Sequence, residues 1–534
     1  MNLPKLPQAS VALDLAALAT VPRWLVRRAR WLACGLVLAT LAHPARAGSS
    51  EAEAVHVLQR LAYGPAPGDV AQVMAMGVDA YIDAQLRPPT LPMPSPLQTR
   101  LDALGTLGAS QSDLVQQFRE AAAQAKAQRH PDTEANVAQR KALQQQLRTE
   151  AAQARLWRAV ASPRQLEEVM VDFWFNHFNV FEGKGLDHAL VANYEREAIR
   201  PYALGRFRDL LGATAHHPAM LFYLDNWLSQ RQGAKGDKGL NENFARELME
   251  LHTLGVDGGY TQNDVTELAR ILTGWTIAPE RPLQPMPPRR ARQLADWRDA
   301  SQRTSRPGLP PGSAFLFDPG RHDPGDKVWL GHTVAGRGQA EGEWALDVLA
   351  AHPATARHIA FQLAQQFVSE RPPAELVQAL ALRFTETDGD IRAVLDTLFH
   401  SQAFRAPDIR GHLFKTPYRY VVSVLRATGL PLDDVRPVLG ALQQLGMPLY
   451  GRQTPDGYPL DAATWLSPDA LTRRLQLATA WASGRPFKAP PVDDGALLQA
   501  WGGAISAATR AKVVHAEPAM RAAMVLGSPD AMWH

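Results

Sequence analysis

Residues 241–255, with the sequence NENFARELMELHTLG, contain the clearest structural signal in the chain. Phe244, Leu248 and Leu251 recur at spacings of four and three residues, which is the period of an amphipathic helix with one buried face. The glycine that closes the stretch can take the left-handed conformation of a helix cap. The stretch therefore predicts a helix over residues 243–254, and similar periodicity continues along most of the chain.

The composition narrows the class of protein. The chain has 534 residues, of which 46% are hydrophobic and 20% are charged, so it can bury large cores. This excludes a disordered chain and a polytopic membrane protein. There is one cysteine, which excludes both a disulfide framework and a metal site made of thiolates.

The N-terminal 47 residues differ from the rest in charge. They have a net charge of +5, so the remaining chain carries 3 − 5 = −2, and the charge argument for binding nucleic acid disappears. A basic stretch from Arg23 to Arg30, an apolar run from Trp31 to Leu41 and small residues up to Ala47 follow in the order of an export signal. We therefore expect a signal peptide at 1–47, with the Sec route favoured over the twin-arginine route, and a periplasmic or secreted mature chain. The apolar run is too short for a stable membrane span.

The pattern predicts an all-α fold with one small β-hairpin near 314–332, where two short apolar stretches flank a turn region. Residues 278–313 are rich in proline and arginine without a sustained period, which predicts a long irregular insertion. The expected parts are a signal peptide at 1–47, an N-terminal helical segment at 48–111, a polar and exposed helical hairpin at 112–162, a helical core domain at 163–484 that carries the insertion, and a C-terminal helical tail at 485–534.

Several stretches of the chain carry a resemblance to a known family. They are Arg60–Pro65, Phe173–Val180, Asn241–Gly255, Gly259–Trp275, His322–Lys327 with Leu330-Gly331, and Leu449–Pro459. In amino-acid sequence and in their order along the chain, these stretches resemble the DUF1800 family over nearly the whole mature chain. Phe175 and Arg419 depart from the family pattern, which often has a polar residue at the first position and an acid at the second.

The resemblance implies a largely α-helical bacterial protein that is commonly exported. Genes of this family often lie beside genes of a second exported family, DUF1501, which implies a DUF1501-like protein as a candidate partner. The resemblance implies no particular reaction, so the chemistry must come from the residues.

The first candidate site is on the helix that follows Asn241. At 100° per residue, Asn243, Glu247 and Glu250 fall within an arc of about 60° that borders the apolar face. Two carboxylates at this spacing can bind a hard cation or act together as an acid/base pair. The alternative is an ordinary helix ion pair between Arg246 and Glu250.

The second and third candidates contain histidines. His177 lies among aromatic residues with Asn176 and Asn179 as orienting partners, which suits a metal ligand, a base or a core histidine. His322 and Asp323 lie on a Pro-Gly turn, where functional side chains are commonly displayed. The alternative for this pair is a structural Asx-type turn.

The fourth candidate is a Gly/Pro-rich loop with Tyr450, Asp456 and Tyr458, which suits a sugar or polymer surface or a purely structural loop. The sequence contains no Gly-x-Ser-x-Gly, Walker loop, dinucleotide-binding glycine pattern or His-Glu-x-x-His. Elbow-type serine hydrolases, nucleotide hydrolases and zincins are therefore disfavoured.

The leading hypothesis is an exported, metal-dependent enzyme, either a hydrolase or an oxidoreductase. Glu247 and Glu250 would be carboxylate ligands and His177 a nitrogen ligand or base, while Asp323 would orient His322 in the same pocket. Nitrogen and oxygen ligands without sulfur suit Zn, Mn or Fe. The competing hypothesis is a non-catalytic helical scaffold that binds a DUF1501-like protein or an envelope polymer. It predicts that the shared stretches form buried hydrogen-bond networks rather than one concave pocket.

Overall fold

The computed structural model describes residues 49–127, 134–233, 239–278 and 287–534. The predicted signal peptide at 1–47 lies outside these residues, and so does the interruption near His130 within the predicted polar hairpin. The described chain is mainly α-helical, as the sequence predicts. None of its described helices is both long and apolar enough to cross a membrane.

The helices follow one another along the whole described chain. Up to residue 304 they are α1 (Glu51–Leu61), α2 (Asp69–Met76), α3 (Val78–Gln85), α4 (Ser95–Asp102), α5 (Gln111–Ala127), α6 (Glu134–Ala161), α7 (Gln165–His177), α8 (Asp187–Tyr194), α9 (Phe207–His216), α10 (Pro218–Tyr223), α11 (Asn243–Glu250), α12 (Gln262–Ile271) and α13 (Pro288–Thr304). The rest are α14 (Gln339–Ala351), α15 (Pro353–Phe367), α16 (Ala374–Glu386), α17 (Ile391–Phe399), α18 (Gln402–Arg405), α19 (Pro417–Thr428), α20 (Arg436–Gln444), α21 (Ala462–Trp465), α22 (Pro468–Ala482), α23 (Asp494–Trp501), α24 (Ala507–Val514), α25 (Pro518–Leu526) and α26 (Pro529–Met532).

The local signals for helix starts agree with the structure. Ser50 caps α1 and Thr261 caps α12, each in a capping box with an acidic residue three positions on. Gly255 has a φ of 83° after the end of α11, in the left-handed region expected for a cap. The helix itself ends at Glu250, earlier than predicted, because the last residues before Gly255 form turns.

Two of the four described strands, β2 (Phe315–Phe317) and β3 (Lys327–Trp329), lie in the predicted stretches, but they do not pair with each other. β1 (Trp275–Ile277) pairs antiparallel with β2, while β3 pairs antiparallel with β4 (His332–Val334). The single hairpin expected from pairing the segments near 315 and 329 is therefore wrong. β2 is buried along its whole length, so it pairs with a second buried apolar strand rather than with the partly exposed β3.

Two segments that look polar in sequence take part in the packed fold. The C-terminal half of α6 packs against the core through Leu156 and Trp157, whose indole nitrogen donates to the carbonyl oxygen of Leu432 at 2.7 Å. The proline- and arginine-rich insertion contains α13, which the sequence pattern does not predict. Ser301 on α13 is fully buried and accepts a hydrogen bond from the backbone nitrogen of Phe317 in β2, so β2 holds this helix in place.

Candidate functional site

A cleft of about 310 Å³ collects several of the stretches that the sequence singles out. It is bordered by the ends of α7 and α11, by α15, by the start of α19 and by the loop 449–459. Its acidic and basic lining residues are Asp172, His177, Glu250, His358, Arg419, Asp456, Asp461 and His534. Segments that are far apart in sequence therefore meet at one concave surface.

His177 is the last residue of α7 and is surrounded by aromatic rings. Its Nε2 atom is 3.1 Å from the carbonyl oxygen of His252. A carbonyl oxygen only accepts, so Nε2–H donates and Nδ1 keeps its lone pair. Burial lowers the pKa of His177 well below its usual value, and His252 and His358 lower it further. The imidazole is therefore neutral at physiological pH, with its tautomer set by the backbone.

A second histidine repeats this arrangement. The Nε2 atom of His358 on α15 is 3.3 Å from the carbonyl oxygen of Leu251, one residue from the carbonyl that His177 contacts. Leu251 and His252 form the turn directly after α11, so both imidazoles satisfy carbonyl groups of that turn rather than of the helix itself. His252 itself is buried, and burial followed by repulsion from His358 lowers its pKa to about 3. The end of α11 is thus surrounded by three neutral imidazoles.

Glu250 and Glu247 lie on the last turn of α11. Glu250 lines the cleft, with one carboxylate oxygen 3.4 Å from the hydroxyl of Tyr260. Burial raises the pKa of the half-buried Glu247, and the negative charges of Glu250 and Asp456 raise it further. The alternative ion pair between Arg246 and Glu250 does not form.

Arg246 pairs instead with Glu242, one turn earlier, at 3.2 Å. It also donates to the side chain of Gln262. Glu250 therefore faces the cleft without an ion pair to Arg246.

The loop 449–459 is held against α7 by amide side chains. Asn176 accepts from the backbone nitrogen of Tyr458 at 2.7 Å and donates to its carbonyl oxygen at 2.9 Å. Asn179 donates to the carbonyl oxygens of Arg452 and Thr454. The two asparagines therefore position the cleft wall rather than orient His177, which corrects that prediction.

A buried ion-pair network lies beneath the cleft, and sequence patterns did not reveal it. Arg155 on α6 donates to Asp172 and, at 3.0 Å, to Glu195. Arg200 pairs with Glu195 at 3.0 Å, and the hydroxyl of Tyr450 donates to Glu195 at 2.9 Å. Burial alone would raise the pKa of Glu195, but Arg155, Arg200 and Tyr450 hold it below its usual value. Of these residues the sequence singles out only Tyr450, as part of the fourth candidate site.

His322 and Asp323 lie in a separate buried network. The Nδ1 atom of His322 is 2.9 Å from the carbonyl oxygen of Thr273, and its Nε2 is 3.2 Å from Glu341. Lys327 pairs with the other oxygen of Glu341 at 2.6 Å. Asp323 pairs with Arg270 at 2.9 Å instead of orienting His322. The structure thus brings His177 and Glu250 to one cleft and places His322 and Asp323 in a network with its own partners.

The predicted metal ligands are Glu247, Glu250 and His177. Among the residues that the structure describes, no group of three or more His, Cys, Asp or Glu side chains is arranged to hold a metal ion. Glu247, Glu250 and His177 therefore do not form a preassembled metal centre here, although neutral imidazole and carboxylate are suitable donors. A Zn, Mn or Fe ion at these residues stays a prediction.

Comparison with known proteins gives one finding. The model of DUF1800, described as a protein of unknown function, matches residues 56–533, which is nearly the whole described chain. Neither the comparison with curated proteins nor the comparison with solved structures finds a match.

Proposed function

We propose that this chain, which belongs to the DUF1800 family of proteins of unknown function, is an exported hydrolase whose polar substrate binds in the cleft. The supporting observation is the convergence of the ends of α7 and α11 with the loop 449–459 on one concave surface that contains carboxyl groups. A concave site with a few convergent polar groups and a perturbed pKa is the usual form of an active site.

The carboxyl groups carry the proposed chemistry. Glu247 is not among the residues that line the cleft, but it lies one turn before Glu250 on α11 and is close enough for the charges of Glu250 and Asp456 to raise its pKa. It suits the general acid, since it holds a proton to higher pH than an ordinary carboxyl group. Glu250 lines the cleft and suits the base that removes a proton from an attacking water. Two carboxyl groups with different environments can divide these roles within one turn of helix.

His177 has a positioning role in this proposal. Its lowered pKa makes it a weak proton carrier at neutral pH, and its hydrogen bond to the carbonyl oxygen of His252 holds the end of α7 at the cleft. If the metal-dependent form holds, Glu247, Glu250 and His177 are the residues that would bind the ion, which would supply a Lewis acid. No step of the proposed hydrolysis depends on a metal ion.

The test is a hydrolysis screen with the full chain. Nitrophenyl glycosides, esters and phosphates serve as probes, together with measurement of Zn, Mn and Fe by mass spectrometry on protein without a histidine tag. Glu250→Gln should lower kcat/KM at least 100-fold without changing the Tm. Glu386→Gln, at an exposed glutamate that ends α16, is the matched control. Equal activity of Glu250→Gln and wild type would refute the proposal.

A second function has its own support. The stretch 322–327 forms a buried network with Glu341 and Arg270, which is what a scaffold without catalysis would use to hold its helices. Such a scaffold would bind a DUF1501-like exported protein or an envelope polymer. Co-purification of that partner with wild type and Glu250→Gln alike, without hydrolysis of any probe, would favour the scaffold over the enzyme.

A further inference from the structure

A second cavity, of about 430 Å³, shares His534 with the wall of the cleft. It lies between α1, the loop 410–412 ahead of α19, and residues 503–504 and 529–534. A volume of this size is in the range of small-molecule sites. A methyl group at Gly411 would meet no atom within 4 Å, so this loop borders open space. The cavity therefore has room for a ligand beside its polar wall residues.

Arg410 is the only arginine or lysine among the described residues that line this cavity. Within the described chain its guanidinium forms no hydrogen bond or salt bridge, and although its Nε is shielded from solvent, its two Nη atoms are not. Asp530, the one acidic residue in the described wall, accepts instead from the backbone nitrogen and the hydroxyl of Ser506, at 2.9 and 2.8 Å. A guanidinium presents paired N–H groups that fit the two oxygens of a carboxylate. Arg410 can therefore hold the carboxylate of a ligand in the cavity.

Two buried imidazoles supply hydrogen-bond acceptors in the same wall. His56 and His534 are each 6% exposed. Nε2 of His56 is 2.8 Å from the carbonyl oxygen of Phe404, and Nδ1 of His534 is 3.2 Å from that of Gln59. Because a carbonyl oxygen only accepts, these nitrogens donate and the other nitrogen of each ring keeps its lone pair. Neither of these other nitrogens has a partner among the described residues, and neither is shielded from solvent, so the wall can accept from a hydroxyl group.

Positive charge lies close to both imidazoles. Three buried cations behind the wall have neutral hydrogen-bond partners in the described chain, and they are Arg60, Lys415 and Arg419. Burial lowers the pKa of His534, and repulsion from these three cations lowers it further. Burial lowers the pKa of His56 to about 3, with Arg60 and Arg410 contributing. Both imidazoles are therefore neutral, and the surrounding cations favour an anion in the cavity.

We propose that this cavity binds a hydroxylated carboxylate of the sugar-acid class, with its carboxylate on Arg410 and one hydroxyl group donating to Nδ1 of His56. A neutral sugar lacks the charge that matches Arg410. A carboxylate without hydroxyl groups leaves the imidazole acceptor unpaired, which is unfavourable in a buried wall. A metal cation could use the imidazole but is repelled by the surrounding cations. The inference concerns binding and does not depend on hydrolysis in the cleft.

The test is calorimetric titration of the full chain with galacturonate and with two analogues that each lack one feature. Galactose lacks the carboxylate, and cyclohexanecarboxylate lacks the hydroxyl groups. We expect saturable binding of galacturonate, at least tenfold weaker binding of either analogue, and a larger rise in Tm with galacturonate than with either analogue at the same concentration. Trigalacturonate distinguishes the source of the ligand, since tighter binding than galacturonate would identify a unit of an acidic polymer and equal binding would identify a free sugar acid.

Two substitutions locate the binding in this cavity. Arg410→Met should bind galacturonate at least tenfold more weakly without a change in the Tm of the free protein, because its guanidinium has no ion pair to lose. Ala52→Phe, at an exposed position in the cavity wall, should weaken binding to a similar extent by occupying space. Arg298→Met, at an exposed arginine on α13, is the matched control and should behave as wild type. The proposal is overturned if galacturonate does not bind, if either analogue binds as tightly, or if Arg410→Met or Ala52→Phe binds galacturonate as wild type does.

Discussion

Replacing Arg155 by methionine tests whether the network beneath the cleft holds α6 against α7. The guanidinium of Arg155 is 6% exposed and donates to Asp172 and Glu195. Three aromatic rings lie 5.1–5.2 Å from its central carbon. A methionine keeps much of this packing and removes the charge, so the substitution isolates the electrostatic contribution.

The expected loss of stability depends on how well the two carboxylates that Arg155 contacts are compensated without it. Glu195 keeps Arg200 and the hydroxyl of Tyr450, so the loss falls mainly on Asp172. Removing one partner of a buried ion pair typically lowers stability by about 3–5 kcal/mol. Burial raises the pKa of Asp172 even beside Arg155, and without the guanidinium this pKa rises further. The folded variant then binds a proton that the unfolded chain releases, so its deficit grows as the pH rises from 5 to 8.

The matched control is Arg148→Met, two turns earlier on the same helix. Arg148 pairs with Glu182 at 3.1 Å, but its side chain is 46% exposed, and pairs of this kind contribute about 0–1 kcal/mol. Guanidinium denaturation, followed by circular dichroism at 222 nm, should give a clearly lower midpoint for Arg155→Met at pH 8. Equal midpoints for the two variants at pH 8, or a deficit that does not change with pH, would refute the reasoning.

Three further substitutions test other parts of the fold. Tyr450→Phe should lower the free energy of unfolding by about 1.5–3 kcal/mol in chemical denaturation, because its hydroxyl donates to the buried carboxylate of Glu195. Asp187 is fully buried, neither of its carboxylate oxygens has a hydrogen-bond partner among the described residues, and burial raises its pKa. Thermal scans of Asp187→Asn should therefore show a higher Tm than wild type at pH 8, and the difference in Tm should become smaller toward pH 4. Thr261→Ala should lower stability by about 1 kcal/mol by removing the cap of α12, whereas Thr261→Ser should keep it.

Most helices were predictable from the sequence, whereas α13 and the strand pairing were not, for a physical reason. Thr261 and the acid three positions on are local, and a capping box needs no other part of the chain. Strand partners depend on distant residues, and Trp275 pairs with Phe317 across an insertion that contains a helix of its own. A three-residue strand has too little alternation of apolar and polar residues to specify its partner. The sequence analysis therefore paired the segment near 315 with the nearer segment near 329.

The candidate site was predictable only in part, because its contacts also depend on residues that are distant in sequence. Spacing on one helix shows that Glu247 and Glu250 share a face, but not that Arg246 turns to Glu242. An aromatic setting marks His177, but no pattern shows which carbonyl it contacts. The buried cations were the least visible, because lysine and arginine are usually exposed and side-chain burial depends on the whole fold. Arg419 stood out in sequence only as a departure from a family pattern.

The end of α11 shows why structural and functional histidines look alike in a sequence. His177 and His358 satisfy carbonyl groups of the turn directly after this helix, and these contacts bring α7 and α15 to the turn that carries Glu250. The same contacts leave each Nδ1 with a lone pair, which is how backbone carbonyls orient histidines at ligand sites. Each of these hydrogen bonds therefore suits a structural histidine and a functional one equally, and we expect removal of either imidazole to disturb the position of Glu250. Only variants that keep the Nε2 contact and change Nδ1 separate the two roles, and substitution of His177 by glutamine, which can still donate to the carbonyl oxygen of His252, is the closest that the natural residues allow.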